Sequence, residues 1–253
     1  MQAVIAGFGF LGARIAADLA AAAYNVTAVR RSAATEGMNG IQFVAADLVR
    51  DIPLLQNRDF DMAVFCLAPD ARSDDSYQSV YVTAQENFLR GVKPAQYVFV
   101  SSTAVYPDIP GTYTEEAGSA HSNRARILLE AETLALSAGA AVLRLAGLYS
   151  RERPIYHSGS KGYTEDKLIH FIHRDDAARA VVHALMGGLK GVYNVHDGQP
   201  QRRSAILSRL GLPSPAPGIG QDRLISEKKF FQSGFNPLYP DYFAGVKSSG
   251  ISG

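Results

Sequence analysis

Short apolar stretches alternate along the chain with longer segments whose apolar residues recur every three or four positions. The first stretch, Gln2–Ala6, is apolar after its first residue, which is typical of a parallel strand covered on both faces. Leu11, Ile15 and Leu19 then follow at a spacing of four, which predicts a helix with one buried face. A second apolar strand is predicted at residues 25–29.

The same alternation continues over three quarters of the chain. Further strands are predicted at Ile41–Ala45, 61–68, 96–101, 141–146 and Gly191–Val195, and further helices at 75–90, Asn123–Ser137 and 175–186. Strands that alternate with helices in this way favour an α/β fold, a doubly wound parallel sheet with right-handed crossovers. Strands and helices arranged in this way form an architecture of the Rossmann type.

Two stretches interrupt the alternation. Residues 150–162 are polar and rich in Arg, Ser and Gly, and residues 212–220 carry three prolines and two glycines. Open α/β sheets bind ligands beyond the carboxyl ends of their strands, so these stretches indicate a small C-terminal substrate lobe above that edge. The predicted Rossmann core is then 1–149 with 170–197, the lobe is 150–169 with 198–247, and 248–253 is a flexible tail.

Composition excludes several other classes. The chain has 253 residues, a formal net charge of +1 and 47% hydrophobic residues, enough for a substantial core. The near-neutral charge gives no reason to expect a nucleic-acid or membrane partner, and no apolar stretch reaches the roughly 18 residues that span a bilayer. The single cysteine, Cys66, forms no intramolecular disulfide and fits a reducing cytoplasm, which we expect to be the protein's location.

Three glycines after the first strand indicate a binding function. Gly7, Gly9 and Gly12 have the spacing G-x-G-x-x-G, and a helix follows at once. We expect Gly7 to permit a tight turn, Gly9 to let the backbone approach a pyrophosphate, and Gly12 to let the helix pack close to the strand. Phe10 and Leu11 belong to the same turn, whose helix N-terminus presents free N–H groups to phosphates.

The end of the second strand indicates which dinucleotide is bound. NAD-binding units usually carry an acidic residue there, which accepts hydrogen bonds from the ribose 2′-OH. Here the strand is followed by Arg30, Arg31 and Ser32, and no carboxylate occurs before Glu36. Guanidinium groups bind a 2′-phosphate through charge-assisted hydrogen bonds, so we predict NADP(H) as the cofactor. A solvated basic loop is the alternative.

Six segments in order resemble the extended short-chain dehydrogenase/reductases, the NAD-dependent epimerase/dehydratase family. They are the glycine turn, Asp47-Leu48, Ser-Ser-Thr-Ala-Val-Tyr at 101–106, Leu-Arg-Leu-Ala-Gly-Leu-Tyr at 143–149, Ile-His-Arg-Asp-Asp-Ala-Ala at 172–178, and Val-Tyr-Asn-Val at 192–195. The resemblance implies that Asp47 and Leu48 contact adenine and that Leu67 and Ala68 border the cofactor. The chain is short for the family and its glycine spacing differs, which indicates an atypical branch.

The resemblance also shows where this chain departs from the family. The family's catalytic Tyr-x-x-x-Lys pair falls on Ser122 and Arg126 when Glu130 anchors the alignment. A serine hydroxyl is too weak an acid to replace the tyrosine, and Ser122 could instead cap its helix. Arg126 cannot titrate but could hold the nicotinamide ribose as the lysine would.

Other residues are candidates for the missing chemistry. Ser102, next to Thr103, stands at the family's catalytic Ser/Thr position and could either hydrogen-bond a substrate carbonyl or brace the strand end. A substitute acid could come from one of four residues: His121, Tyr106, Tyr113 or Tyr149. An imidazole titrates near neutral pH, which favours His121, although a solvated loop histidine is the simpler interpretation. Tyr106 and Tyr149 are better explained as packing residues, and the histidine spacings do not indicate a zinc site.

Two functions remain open. The first is an NADP(H)-dependent oxidoreductase or epimerase acting on a small polar substrate. The second is an NADP(H)-binding sensor or regulatory module without hydride transfer, which the loss of both Tyr and Lys motivates. The family often pairs through two of its helices, so a homodimer is expected by analogy. Consumption of NADPH with candidate substrates would distinguish the two functions.

Overall fold

A parallel sheet of seven strands forms the centre of the molecule. The computed structural model describes residues 1–32, 40–51, 59–156, 163–216 and 222–247. The strands are β1 (Gln2–Ala6), β2 (Asn25–Arg30), β3 (Ile41–Ala45), β4 (Met62–Phe65), β5 (Gln96–Ser102), β6 (Ala141–Leu145) and β7 (Gly191–Val195). Their order in the sheet is β3-β2-β1-β4-β5-β6-β7, and every pair is parallel. The predicted α/β doubly wound sheet is confirmed.

Helices cover both faces of this sheet. They are α1 (Gly12–Ala21), α2 (Asp74–Tyr77), α3 (Ala84–Gly91), α4 (Asn123–Ser137), α5 (Arg174–Met186), α6 (Arg203–Arg209), α7 (Lys228–Phe231) and α8 (Tyr242–Lys247). Residues of α1 and α5 pack with Ala3 and Ile5 of β1 on one face. Residues of α3 and α4 pack with Val4 and Ala6 on the other. Because strand side chains alternate between faces, β1 contributes to both cores and is apolar almost throughout.

Two elements differ from their predicted bounds by more than one residue. The fourth strand ends at Phe65 rather than at 68: Cys66 N still donates to Ala6 O, and Leu67 and Ala68 then leave the sheet. The single helix predicted at 75–90 is α2 and α3 joined by a π-helical segment, Gln78–Thr83. Such wide turns occur often at functional sites, and apolar periodicity alone cannot reveal them.

Smaller elements lie beyond the carboxyl ends of the strands. Three two-stranded pairs are formed by Gly111–Tyr113 with Arg223–Ile225, Gly147–Tyr149 with Phe171–His173, and Leu168–Ile169 with Gln201–Arg202. Short 3-10 turns occur at Thr103–Val105 and Glu115–Ala117. A separate buried cluster unites Tyr149, Tyr156, Phe171 and Tyr242 with two residues of α6, and the division of the chain into core and lobe stays a prediction.

Some predicted features lie outside the described residues. They are Glu36, part of the polar stretch at 157–162 with His157, residues 217–220 of the proline-rich stretch, and the predicted tail at 248–253. Within the described ranges, no helix combines the length and apolarity that crossing a bilayer requires.

Candidate functional site

A cleft of about 740 Å³ opens at the carboxyl ends of the central strands. Its walls come from the loops after β1, β2, β3, β4, β5 and β6. They include Gly7, Gly9, Phe10, Leu11, Gly12, Arg30, Arg31, Ser32, Asp47, Leu48, Leu67, Ala68, Asp70, Val80, Tyr81, Ser101, Ser102, Ala146, Leu148 and Arg153. Every residue that the sequence predicts to bind the cofactor lines this one cleft. Its position is where open α/β sheets bind ligands.

The glycine turn is tight and leaves open space toward the cleft. Gly7 has a φ of 105°, a left-handed conformation that favours glycine, and its N–H donates to Val29 O. A Cβ on Gly12 would lie 2.0 Å from Gly7 O, so α1 approaches the turn more closely than any side chain allows. A Cβ on Gly9 would meet nothing within 4 Å, which leaves open space on the cleft side.

The N-terminus of α1 has unpaired N–H groups that could bind an anion. Leu11, at its N-cap, makes no side-chain capping bond, and the first turn of α1 contains no acidic residue. In the part of the chain that the structure describes, no acceptor is found for the N–H groups of Gly9, Phe10 and Leu11. Unpaired N–H groups and the helix dipole favour a bound phosphate, so the turn fits the pyrophosphate of a dinucleotide.

Charged groups from the end of β2, the loop that follows it and the loop after β4 meet at one end of the cleft. Arg30 stacks on Phe43, 5.8 Å from its ring centroid, and its Nη2 donates to Ser32 Oγ over 2.7 Å. Arg31 forms two bonds to Asp70, of 2.5 and 3.0 Å. The hydrogen bond from Arg31 and its positive charge lower the pKa of the Asp70 carboxyl, and the same contact raises the pKa of Arg31. Sequence reasoning missed Asp70, although it follows the predicted fourth strand by two residues.

Asp47 and Leu48 border the same end. Asp47 Oδ1 accepts a hydrogen bond from Val49 N over 3.1 Å, and Leu48 is 5% exposed. Asn87 Nδ2 donates to Leu48 O over 2.9 Å, which ties this loop to α3. These bonds hold the loop after β3 against the cleft, beside the region where the resemblance implies adenine.

Two serines of β5 lie at the other end of the cleft. Ser102 Oγ accepts from Ala104 N over 3.2 Å, and Ser101 Oγ donates to Glu132 Oε1 over 2.5 Å. Tyr81, which comes from the π-helical segment, lines the cleft between α2 and α3. Burial raises the pKa of the Tyr81 phenol to about 12, so it is protonated at neutral pH. The sequence analysis did not find Tyr81 because its position depends on the wide turn.

The remaining catalytic candidates do not line the cleft. Ser122 caps α4, where its Oγ accepts from Ala125 N over 3.2 Å. Arg126 pairs with Glu130 over 3.3 Å on the surface of that helix. His121 Nδ1 lies 3.0 Å from Ser119 O, and Thr103 is buried in the 3-10 turn after β5. The capping interpretation therefore explains Ser122, and α4 presents no replacement for the family's catalytic pair in the cleft.

A buried polar network braces the strand ends behind the cleft. Arg144 of β6 and Glu132 of α4 form an ion pair of 2.7 Å, with side chains 4% and 3% exposed. Arg144 Nη1 also donates to Tyr106 OH, and Tyr106 OH donates to Asn194 Oδ1, both over 2.7 Å. This explains Tyr106 as a structural residue and gives a role to the arginine of the segment at 143–149.

A second group of buried titratable residues lies near β7. Ile225 N donates to His170 Nε2 over 3.1 Å, which leaves the proton of that imidazole on Nδ1, where no partner is found among the described residues. Burial lowers the pKa of His170 to about 3 and raises the pKa of Asp197 to about 7. In the described ranges, no three His, Cys, Asp or Glu side chains are arranged to hold a metal ion.

Comparisons with known proteins support the fold. No protein-family model matches the chain, and no curated protein matches it. A structure described as a candidate NAD-dependent epimerase/dehydratase from Methylobacillus flagellatus is 27% identical, with a TM-score of 0.79, and the match covers 96% of this chain and 95% of that one.

More distant structures have the same architecture. UDP-glucose 4-epimerase from Thermotoga maritima, solved with UDP-glucose, is 17% identical with a TM-score of 0.77, over 98% of this chain and 96% of that one. UDP-glucuronic acid 4-epimerase from Bacillus cereus, solved with NAD, is 16% identical with a TM-score of 0.75, over 98% and 97%. These three neighbours are described as epimerases or dehydratases, one of them solved with NAD, and the resemblance to that family is supported at the level of fold.

Proposed function

We propose that this protein binds NADP(H) in the cleft and acts as an oxidoreductase or epimerase on a small polar substrate. The observation that carries the proposal is that the glycine turn and the two arginines at the end of β2, Arg30 and Arg31, line one continuous cleft. The turn takes the pyrophosphate, and Arg30 and Arg31 take the 2′-phosphate of the adenosine ribose. Two of the structural neighbours are described in complex with NAD, so the support for NADP(H) comes from this chain's own residues and not from the neighbours.

Asp70 sets a limit on how strongly Arg31 can contribute. The carboxylate already occupies two of the guanidinium's donors, and both side chains are exposed, at 67% and 68%. A 2′-phosphate would have to displace Asp70 or share Arg31 with it. Arg30 is not held by a carboxylate in the described residues, so we expect it to make the stronger contact.

Bound NADP(H) would supply the hydride chemistry, and the chain's residues would orient the substrate and exclude water. Ser102 stands at the far end of the cleft and is the remaining predicted catalytic candidate on its wall. Its hydroxyl could hold a substrate oxygen there. Tyr81 is a neutral phenol at the same wall, and its O–H would donate a hydrogen bond to a substrate oxygen.

A binding module without turnover remains the second candidate. It is favoured by the position of Ser122, Arg126 and His121, none of which lies on the cleft wall. Incubation with NADPH and a panel of carbonyl and imine substrates, followed by nicotinamide absorbance, separates the two. Consumption that falls in Ser102→Ala or Tyr81→Phe supports the enzyme, whereas tight binding without turnover supports the module.

Cofactor selectivity is tested by titration with NADPH and NADH. We expect Arg30→Ala to weaken the binding of NADPH by roughly 10- to 100-fold and to leave NADH unchanged, because a charge-assisted hydrogen bond to phosphate contributes about 1.5–3 kcal/mol. Lys93→Ala removes an equal charge from an exposed position just before β5, at the amino-terminal ends of the strands and away from the cleft, and is the matched control. Equal loss of both dinucleotides in Arg30→Ala, or tighter binding of NADH by the native protein, would contradict the assignment.

A further inference from the structure

Two guanidinium groups lie against the aromatic ring of the glycine turn. Arg153 is 5.1 Å and Arg174 is 5.3 Å from the ring centroid of Phe10. Phe10 stands between Gly9 and Gly12, so its ring marks the place where the turn meets the cleft. Arg174 is the first residue of α5.

The two arginines differ in how their charges are compensated. Arg174 Nε is bonded to Asp175 Oδ1 over 3.1 Å, and Asp175 also faces Arg14. No ion pair with a carboxylate is found for Arg153 within the described ranges. Arg153 is exposed on the cleft wall, so its side-chain donors are available to a ligand.

A short turn holds Arg153 in place. Ser150 N donates to Arg153 O, and Arg153 N donates to Ser150 Oγ, both over 3.2 Å. Ser150 is fully buried and follows Tyr149 of a short strand, so the turn is anchored to the protein interior. The guanidinium is thus presented from a fixed backbone and rests on an aromatic ring, which lowers the entropy lost on binding.

We propose that Arg153 binds the pyrophosphate of the dinucleotide from the side of the cleft that faces the glycine turn, with Phe10 as its platform. The turn between β1 and α1 offers the unpaired N–H groups of Gly9, Phe10 and Leu11, and Arg153 offers a forked cation from the loop after Gly147–Tyr149. Arg174 adds positive potential beside the same ring. This inference rests on the proposed function, because it assumes that the cleft binds a dinucleotide.

Three ligands separate this role from that of Arg30 and Arg31. NADPH and NADH share the pyrophosphate, whereas 2′-AMP carries the 2′-phosphate and lacks the pyrophosphate. We expect Arg153→Ala to weaken both dinucleotides by roughly 10-fold and to leave 2′-AMP unchanged, as loss of one exposed charge-assisted contact implies. Phe10→Leu, which keeps apolar bulk but removes the ring, should weaken both dinucleotides by a smaller factor.

The experiment is calorimetric titration of the full chain and its variants. Arg151→Ala removes an exposed arginine two residues away and is the matched control, expected to bind all three ligands as the native protein does. Unchanged dinucleotide affinity in Arg153→Ala would overturn the proposed contact between Arg153 and the pyrophosphate. An equal loss of affinity for 2′-AMP would also overturn it, because it would indicate a general change in the cleft. If the native protein binds neither dinucleotide, the proposed function itself fails, so the two failures are distinct.

Discussion

Gly9 and Gly12 lie three residues apart in the same turn, yet the structure predicts opposite consequences for replacing them with alanine. A Cβ on Gly12 would lie 2.0 Å from Gly7 O and 3.0 Å from Cys66 Sγ. The Gly7 oxygen is backbone, so relief requires α1 to move away from the turn by roughly 1 Å to reach an ordinary contact of about 3.3 Å. A Cβ on Gly9 meets no protein atom within 4 Å.

The expected magnitudes follow from these distances. Overpacking at Gly12 costs about 1–3 kcal/mol, and the better helix propensity of alanine returns up to about 1 kcal/mol. We therefore expect Gly12→Ala to lower the free energy of unfolding by about 1–2 kcal/mol, which for a chain of this size lowers Tm by roughly 2–8 °C. Gly9→Ala should leave stability within about 0.5 kcal/mol of the native protein.

Cofactor binding should then separate the two variants. The added methyl group at Gly9 occupies the open side of the turn, where the pyrophosphate would approach the backbone. We expect Gly9→Ala to lose NADPH affinity while its thermal melt, followed by circular dichroism without ligand, stays native. Native NADPH affinity in Gly9→Ala would refute the assignment of the turn, and a more stable Gly12→Ala would refute the packing argument.

Two further predictions concern the buried polar groups. Arg144→Ala leaves Glu132 buried without its partner, so urea denaturation should show a loss of about 3–5 kcal/mol, largely recovered in Arg144→Met/Glu132→Leu; a loss below about 1 kcal/mol would contradict this. The pKa of Asp197 is raised to about 7, so its protonated carboxyl stabilises the fold at pH values below the pKa of the unfolded chain, and this contribution is lost as pH rises toward 7. The pKa of His170 is lowered to about 3, so the stability that its neutral imidazole contributes is lost as pH falls from 6.5. The two groups change the free energy of unfolding in opposite directions between about pH 4 and 6.5. Asp197→Asn should therefore lose stability on acidification more steeply than the native protein, by about 1.4 kcal/mol per pH unit. Equal slopes of unfolding free energy against pH in the two proteins would contradict this prediction.

Local signals accounted for most of the fold. The helix at Asn123–Ser137 has the predicted bounds, because Ser122 supplies the N-cap and Gly139 follows the last turn. The strand Gly191–Val195 also has its predicted bounds. The π-helical segment was not predicted, since apolar spacing does not distinguish it from an α-helix.

The candidate site was predictable only where it is contiguous in sequence. The glycine turn and the arginines after β2 carry short motifs, and all of them line the cleft. Asp70 meets Arg31 across 39 residues, and Arg153 meets Phe10 across a larger separation. Contacts of this kind depend on which strands become neighbours, and a single sequence contains no local signal for them.

The buried network behind the cleft also constrains the order in which the chain folds. The bond between Tyr106 and Asn194 joins residues 88 positions apart, and the bond between Glu115 and Asn194 joins residues 79 apart. Asn194 lies on β7, at the edge of the sheet, so both contacts wait until that strand has docked beside β6. Loops of this length close slowly, and non-local contacts dominate the folding time of such topologies. The amides of β7 are therefore expected to acquire protection from hydrogen exchange after those of β1 and β2, which pair across a shorter stretch of chain.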